Sequence, residues 1–112
     1  MLDEYRGILA IGDQMMKFTE AETIIVLLLT FKEQNKLRYN LGLEEIPKSK
    51  AKKLQDEYLD TDEMQRTISK VLGYNVSTSF AFATMSRVKM KLKVLGIEMI
   101  KKPKVGYYIK RR

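Results

Sequence analysis

The chain reads as an α+β fold with a small β-hairpin near its N-terminus, three to four helices in the middle and a second β-hairpin at its C-terminus. Three observations predict this. Short apolar runs flank a Gly-Asp link near residue 12, apolar residues recur at helical spacing between residues 19 and 95, and the segment after Gly96 alternates as strands do. With 112 residues, 45% of them hydrophobic, there is enough chain for one core, and a single domain over residues 1–112 is expected.

Taken in order, Ile8-Leu9-Ala10-Ile11 and Gln14-Met15-Met16-Lys17-Phe18 are joined by Gly12-Asp13, a two-residue hairpin signal. Thr19 followed by Glu22 has the form of a capping box, so a helix begins there. Its inner stripe is Ile24, Leu27, Leu28 and Phe31, widened by Ile25 and Leu29, and Asn40 and Gly42 stop it. Pro47 suits the first position of a second helix over residues 47–59, with Ala51, Leu54 and Tyr58 on one face and Lys48, Lys50, Lys52 and Lys53 on the other. Asp60 or Thr61 caps a third helix, with Met64, Ile68, Val71 and Leu72 inward and Gly73 as its stop. Ser77, Thr78 and Ser79 offer caps for a helix over residues 77–95, whose stripe of Ala81, Met85, Val88 and Leu92 faces the core. Beyond Gly96, Ile97-Glu98-Met99-Ile100 and Val105-Gly106-Tyr107-Tyr108-Ile109 read as strands joined by Lys101-Lys102-Pro103-Lys104.

Composition narrows the chemistry. With no cysteine and no histidine, the chain lacks thiol nucleophiles, imidazole bases and the usual soft metal ligands; no metal, cofactor or enzymatic activity is expected. Asp60, Asp62 and Glu63 form an acidic group, but carboxylates gather at helix N-termini through the helix dipole. The longest apolar run, Ile24 to Leu29, is far short of the roughly 20 residues of a membrane span, and Asp3 and Glu4 are unlike a secretory signal. A cytoplasmic, DNA-associated protein without a membrane partner is expected. The net charge of +7 is unevenly spread: residues 1–60 carry 9 basic and 11 acidic side chains, and residues 61–112 carry 12 basic and 3 acidic. A surface meant only for solubility would mix its signs, so the basic half points to a polyanionic partner such as nucleic acid or an anionic membrane surface, and the order of the helices makes double-stranded DNA the expected one.

A short helix, a brief turn, a longer basic helix and a basic hairpin make the order of a winged helix-turn-helix. In such a domain the second helix enters the major groove and the hairpin, the wing, reaches backbone or minor groove. With Ala81, Met85, Val88 and Leu92 inward, the outward positions are Ser79, Ala83, Ser86, Arg87 and Met90. Phe82, Lys89 and Lys93 flank them on one side, with Thr84 and Lys91 on the other, and Lys101, Lys102 and Lys104 populate the wing.

The blocks VLGYNV (71–76), SRVKMKL (86–92), LGI (95–97) and VGYYI (105–109) resemble the OmpR/PhoB-type winged-helix effector domains of response regulators. That resemblance implies sequence-specific DNA binding in transcription regulation, with RNA polymerase as a further candidate partner; a homodimer on DNA is expected because one recognition helix reads only a few base pairs and specificity needs two half-sites. The resemblance also implies DNA contacts by Arg87 and Lys89, a base or backbone contact by Ser86, and packing of Tyr107 on the core. The chain departs from the pattern in four ways. No receiver domain is expected, so control by phosphorylation is not implied. The helix of residues 47–59 stands where the family has a short connection, and the N-terminal sheet is reduced to a hairpin. Phe82 replaces a polar residue. The loop 73–78 is shorter than the family loop that touches RNA polymerase.

Competing readings stay open. Arg87 also suits an ion pair, and the wing lysines also suit protection of a sheet edge. Phe82 and Met90 together make a small apolar patch, the mark of a winged-helix module that docks on protein such as the transcription machinery. A replication or partition protein of mobile DNA would carry the same features as a regulator.

Overall fold

The computed structural model describes residues 2–3, 6–43 and 49–111. Its elements are β1 (Leu2–Asp3), β2 (Ile8–Ile11), β3 (Gln14–Lys17), α1 (Glu20–Leu41), α2 (Lys50–Glu57), α3 (Thr61–Leu72), α4 (Thr78–Val94), β4 (Ile97–Lys102) and β5 (Gly106–Arg111). The α+β class is as expected from sequence, with four helices and two antiparallel sheets. The N-terminal hairpin is one strand richer than expected. β2 and β3 pair from Ile8 with Lys17 to Ile11 with Gln14, and Leu2 and Asp3 add an edge by pairing with Leu9 and Ile8.

α1 starts at the expected capping box: the Thr19 hydroxyl accepts from the Glu22 N–H and the Glu22 carboxylate accepts from the Thr19 N–H at 2.8 Å. It closes at Gly42 in the left-handed region, whose N–H reaches the Arg38 and Tyr39 carbonyls. Ile24, Ile25 and Leu29 are buried, but Phe31 is 57% exposed and leaves the expected stripe. Its neighbour Lys32, about 100° further round the helix, continues the buried line with Asn35, because both side chains serve α2.

α2 also differs from expectation. Pro47 and Lys48 lie outside the described residues, and the helix begins after Ser49, whose hydroxyl accepts from the Lys52 N–H. Ala51 is exposed and Leu54 only half-buried, so apolar contact is a small part of its attachment. Instead Lys32 Nζ donates to the Gln55 carbonyl, Asn35 Nδ2 to the Asp56 carbonyl at 2.9 Å, and the Tyr39 hydroxyl to Asp56 Oδ2 at 2.5 Å. The first two satisfy C-terminal carbonyls that a helix leaves without partners, and the third binds a side-chain carboxylate.

Asp60 caps α3, accepting from the Glu63 N–H at 2.7 Å, and Gly73 ends it. Met64 and Ile68 are buried as expected, whereas Val71 is 55% exposed. Here the end of α3 overhangs an open groove between α1 and the N-terminal sheet, and Val71 lines that groove with Leu27 and Arg6. The core joins Ile25 and Leu29 of α1, Met64 and Ile68 of α3, Ala81, Val88 and Leu92 of α4, and Ile97, Met99 and Ile109 of the C-terminal sheet. That sheet is longer than expected: Lys101 and Lys102 belong to β4, opposite Tyr107 and Gly106, and only residues 103–105 make the turn, with Lys104 at φ +64°.

One further contact ties the chain together. Leu59, between α2 and α3, forms a two-way backbone bridge with Tyr107, at 2.9 and 2.8 Å. Gly106 makes this approach possible. Its φ is +149°, and a Cβ there would lie 2.6 Å from the Leu59 carbonyl oxygen.

Candidate nucleic-acid interface

α4 is mounted on the core by the expected stripe: Ala81, Met85, Val88 and Leu92 are all buried. Ser77 caps it, accepting from the Phe80 N–H at 3.0 Å. The opposite face carries Ser79, Phe82, Ala83, Ser86, Arg87, Lys89, Met90 and Lys93, every one exposed. No acidic residue occurs between Thr78 and Val94, so α4 itself offers these cations no partner.

Two expected flanking residues are turned inward. Thr84 is fully buried; its hydroxyl donates to the Phe80 carbonyl at 2.7 Å and accepts from Arg87 Nη2 at 3.2 Å. Lys91 does not extend outward but donates to Glu22 Oε1 at 2.5 Å and to the Lys17 carbonyl at 3.0 Å, lying 5.3 Å from the Phe18 ring centroid. For Lys91 the reason is a buried carboxylate.

Glu22 has no solvent exposure, and it binds Arg87 Nε at 3.0 Å through Oε2 as well as Lys91 and the Thr19 N–H through Oε1. Burial by itself pushes this carboxyl up, but the bonds from Lys91, Thr19 and Arg87 outweigh it and hold the group below the usual glutamate value. The ion-pair reading of Arg87 is therefore realised, and the guanidinium is held in place rather than freely solvated. Of its five N–H donors, the bonds to Glu22 and Thr84 use two, and the side chain remains half exposed. Glu22 signalled only its capping role in the sequence, because its cationic partners stand 65 and 69 positions away.

On the C-terminal hairpin Lys101, Lys102 and Lys104 are exposed, as a wing would require, and Glu98 and Lys110 face each other in the register. Tyr107 packs against the core as expected. Sequence reasoning did not foresee that Lys102 lies 5.0 Å from the ring centroid of Tyr58, or that Lys36 of α1 joins it there. Arg66 and Lys70 of α3 border an open cleft with Tyr74, beside the α3–α4 turn, and extend the cationic surface. The acidic group is accounted for structurally: Asp60 caps α3 and Glu63 pairs with Lys32 at 2.9 Å. Among the described residues no helix is long and apolar enough to cross a membrane. The chain matches no family model, no curated protein and no solved structure.

Proposed function

We propose that this protein binds duplex DNA sequence-specifically as a winged helix-turn-helix transcriptional regulator, with α4 in the major groove and the β4–β5 hairpin as the wing on backbone or minor groove. The observation that carries the reading is α4 itself, a helix mounted on the core by four buried side chains, whose outward face bears Arg87, Lys89 and Lys93 and no acidic residue of its own. The order α3, turn, α4, hairpin supports it, as does the Leu59–Tyr107 bridge, which adds a third strand-like segment to the C-terminal sheet. Base edges fall to Ser79, Ala83, Ser86, Arg87 and Met90. Lys89, Lys93 and the wing lysines Lys101, Lys102 and Lys104 face phosphates, and Phe82 meets sugar or a thymine methyl. Two copies occupy paired half-sites, since one recognition helix spans only a few base pairs.

Selection of bound sequences from a random duplex pool tests this reading directly. Recovery of a motif with two related half-sites is the expected result; a pool that stays random through repeated selection refutes sequence-specific binding.

A second reading has an observation of its own. Phe82, Met90 and Val94 are 42%, 71% and 62% exposed on α4, an apolar trace amid the cations. On that reading α4 docks on protein, and Phe82→Ala with Met90→Ala abolishes capture of the partner while duplex binding is weak and insensitive to salt.

A further inference from the structure

Two lysines from distant parts of the chain converge on one tyrosine. Lys36 of α1 places Nζ 4.5 Å from the Tyr58 ring centroid and 4.0 Å from that of Tyr108, and Lys102 of β4 places Nζ 5.0 Å from the Tyr58 centroid. The two rings meet edge to face, with centroids 5.6 Å apart and planes at 89°. Lys102 also points Nζ at the Tyr58 hydroxyl, 3.5 Å away.

Among the described residues, neither lysine has a carboxylate within ion-pair distance. The neighbouring acids are engaged elsewhere, Glu33 with Arg111 at 3.2 Å and Glu57 with Lys53 at 3.8 Å. One ammonium on a tyrosine face is an ordinary way to attach a helix to a hairpin. A second at the same ring, Lys102 toward its hydroxyl end, is met by neutral partners only, the ring and the Tyr58 hydroxyl, so the mutual repulsion of two like charges is not cancelled by a carboxylate. An anion that both ammonium groups reach offsets that repulsion, and the aromatic platform already restricts where the two sit. The Leu59–Tyr107 bridge fixes the platform at the base of the wing, beside Tyr108 and Gly106.

From this we infer a phosphate-binding clamp formed by Lys36 and Lys102 on the Tyr58–Tyr108 platform, which takes the backbone phosphates of the duplex that runs past the wing. The inference rests on the DNA reading above and extends the interface from the wing to α1, where sequence analysis placed no contact. Lys36 is a backbone contact without base readout.

The test uses the full chain with both lysines changed to methionine, which keeps the stems and removes the charges, and a second variant with arginine at both positions. Lys89→Met in α4 is the control. Affinity for the selected site and for a scrambled duplex is measured over a range of salt, alongside thermal melting. The clamp predicts that the methionine variant loses several-fold affinity on both duplexes alike, that its salt slope becomes shallower by about 1 per lysine, and that the arginine variant binds as wild type does.

Unchanged affinity and slope in a methionine variant that still folds, while Lys89→Met weakens binding, overturns the clamp and leaves the DNA reading standing. A lower melting temperature with unchanged affinity does the same, since it marks the cluster as structural. If the wild type binds no duplex even at low salt, the DNA reading falls, and titration with inorganic pyrophosphate followed by NMR decides the clamp by itself. Shifts of the Tyr58 and Tyr108 ring signals that vanish in the methionine variant then support a free-phosphate site, and their absence overturns it.

Discussion

A carboxylate buried beneath α4 does two things at once, and Glu22 shows both. It satisfies the start of α1 and holds Arg87 and Lys91 of α4. Because its folded-state pKa is lowered, it stabilises the fold above the unfolded value, about 4.3, and that contribution is lost as pH falls through the folded value. Glu22→Gln is expected to cost on the order of 1–3 kcal/mol near neutral pH, reduced from the full cost of a broken buried pair because Arg87 is half exposed. Its stability should converge on that of wild type in acid. Urea unfolding from neutral pH down to about pH 3 checks this, and a deficit of the same size throughout would remove the ionic explanation. Arg87→Ala is expected to cost on the order of 1–3 kcal/mol of binding on the selected site and much less on a scrambled duplex. Equal losses on both would move Arg87 from base readout to backbone.

Elements divide the work between positioning and charge. The β4–β5 hairpin is anchored by the Leu59–Tyr107 bridge, and Gly106 is the position where the anchor is most easily broken, since any Cβ meets the Leu59 carbonyl. Gly106→Ala should loosen the bridge, destabilising the protein by about 1–3 kcal/mol. It should also speed hydrogen exchange at the Leu59 and Tyr107 amides well beyond any change at the α4 amides. Exchange that rises uniformly through the protein would show that the bridge is not a separable unit. Replacing Lys101, Lys102 and Lys104 together with alanine removes three exposed charges, one of which, Lys102, also touches the buried Tyr58 ring. That variant should weaken binding to every duplex alike and flatten the salt dependence, in contrast to Arg87→Ala, and duplex titrations at two salt concentrations separate the two.

For the whole molecule the deciding quantity is charge asymmetry. Residues 61–112 carry 12 basic and 3 acidic side chains and contribute α3, α4 and the C-terminal hairpin. If about five phosphates are neutralised, log K should fall with log salt at a slope of roughly −4 to −5; a flat response would favour protein docking through Phe82 and Met90. The proposed pairing on DNA predicts two chains per site at saturation, readable from the mass of the complex in analytical ultracentrifugation, and one chain per site would refute it.

The ends of α1, α3 and α4 were legible in the sequence because they depend on contacts within a turn or so of chain. The Thr19 and Glu22 box, the Asp60 and Ser77 caps, the stops at Gly42 and Gly73 and the α4 stripe all act at separations of four residues or fewer. What needed the tertiary structure was which side of each element its neighbours cover. Phe31 and Val71 fit an apolar stripe by spacing and are exposed, while Lys32 and Asn35, polar on the same helix as Phe31, are buried under α2. The same holds for the site. Spacing alone identified the outward face of α4, but the turning of Lys91 toward Glu22 depends on bringing α1 against α4, and the meeting of Lys36 with Lys102 depends on bringing α1, Tyr58 and the β4–β5 hairpin together. Charge placed along a chain determines the sign of the partner it attracts; which of those charges remain free to meet that partner is decided by the carboxylates and rings that folding sets beside them.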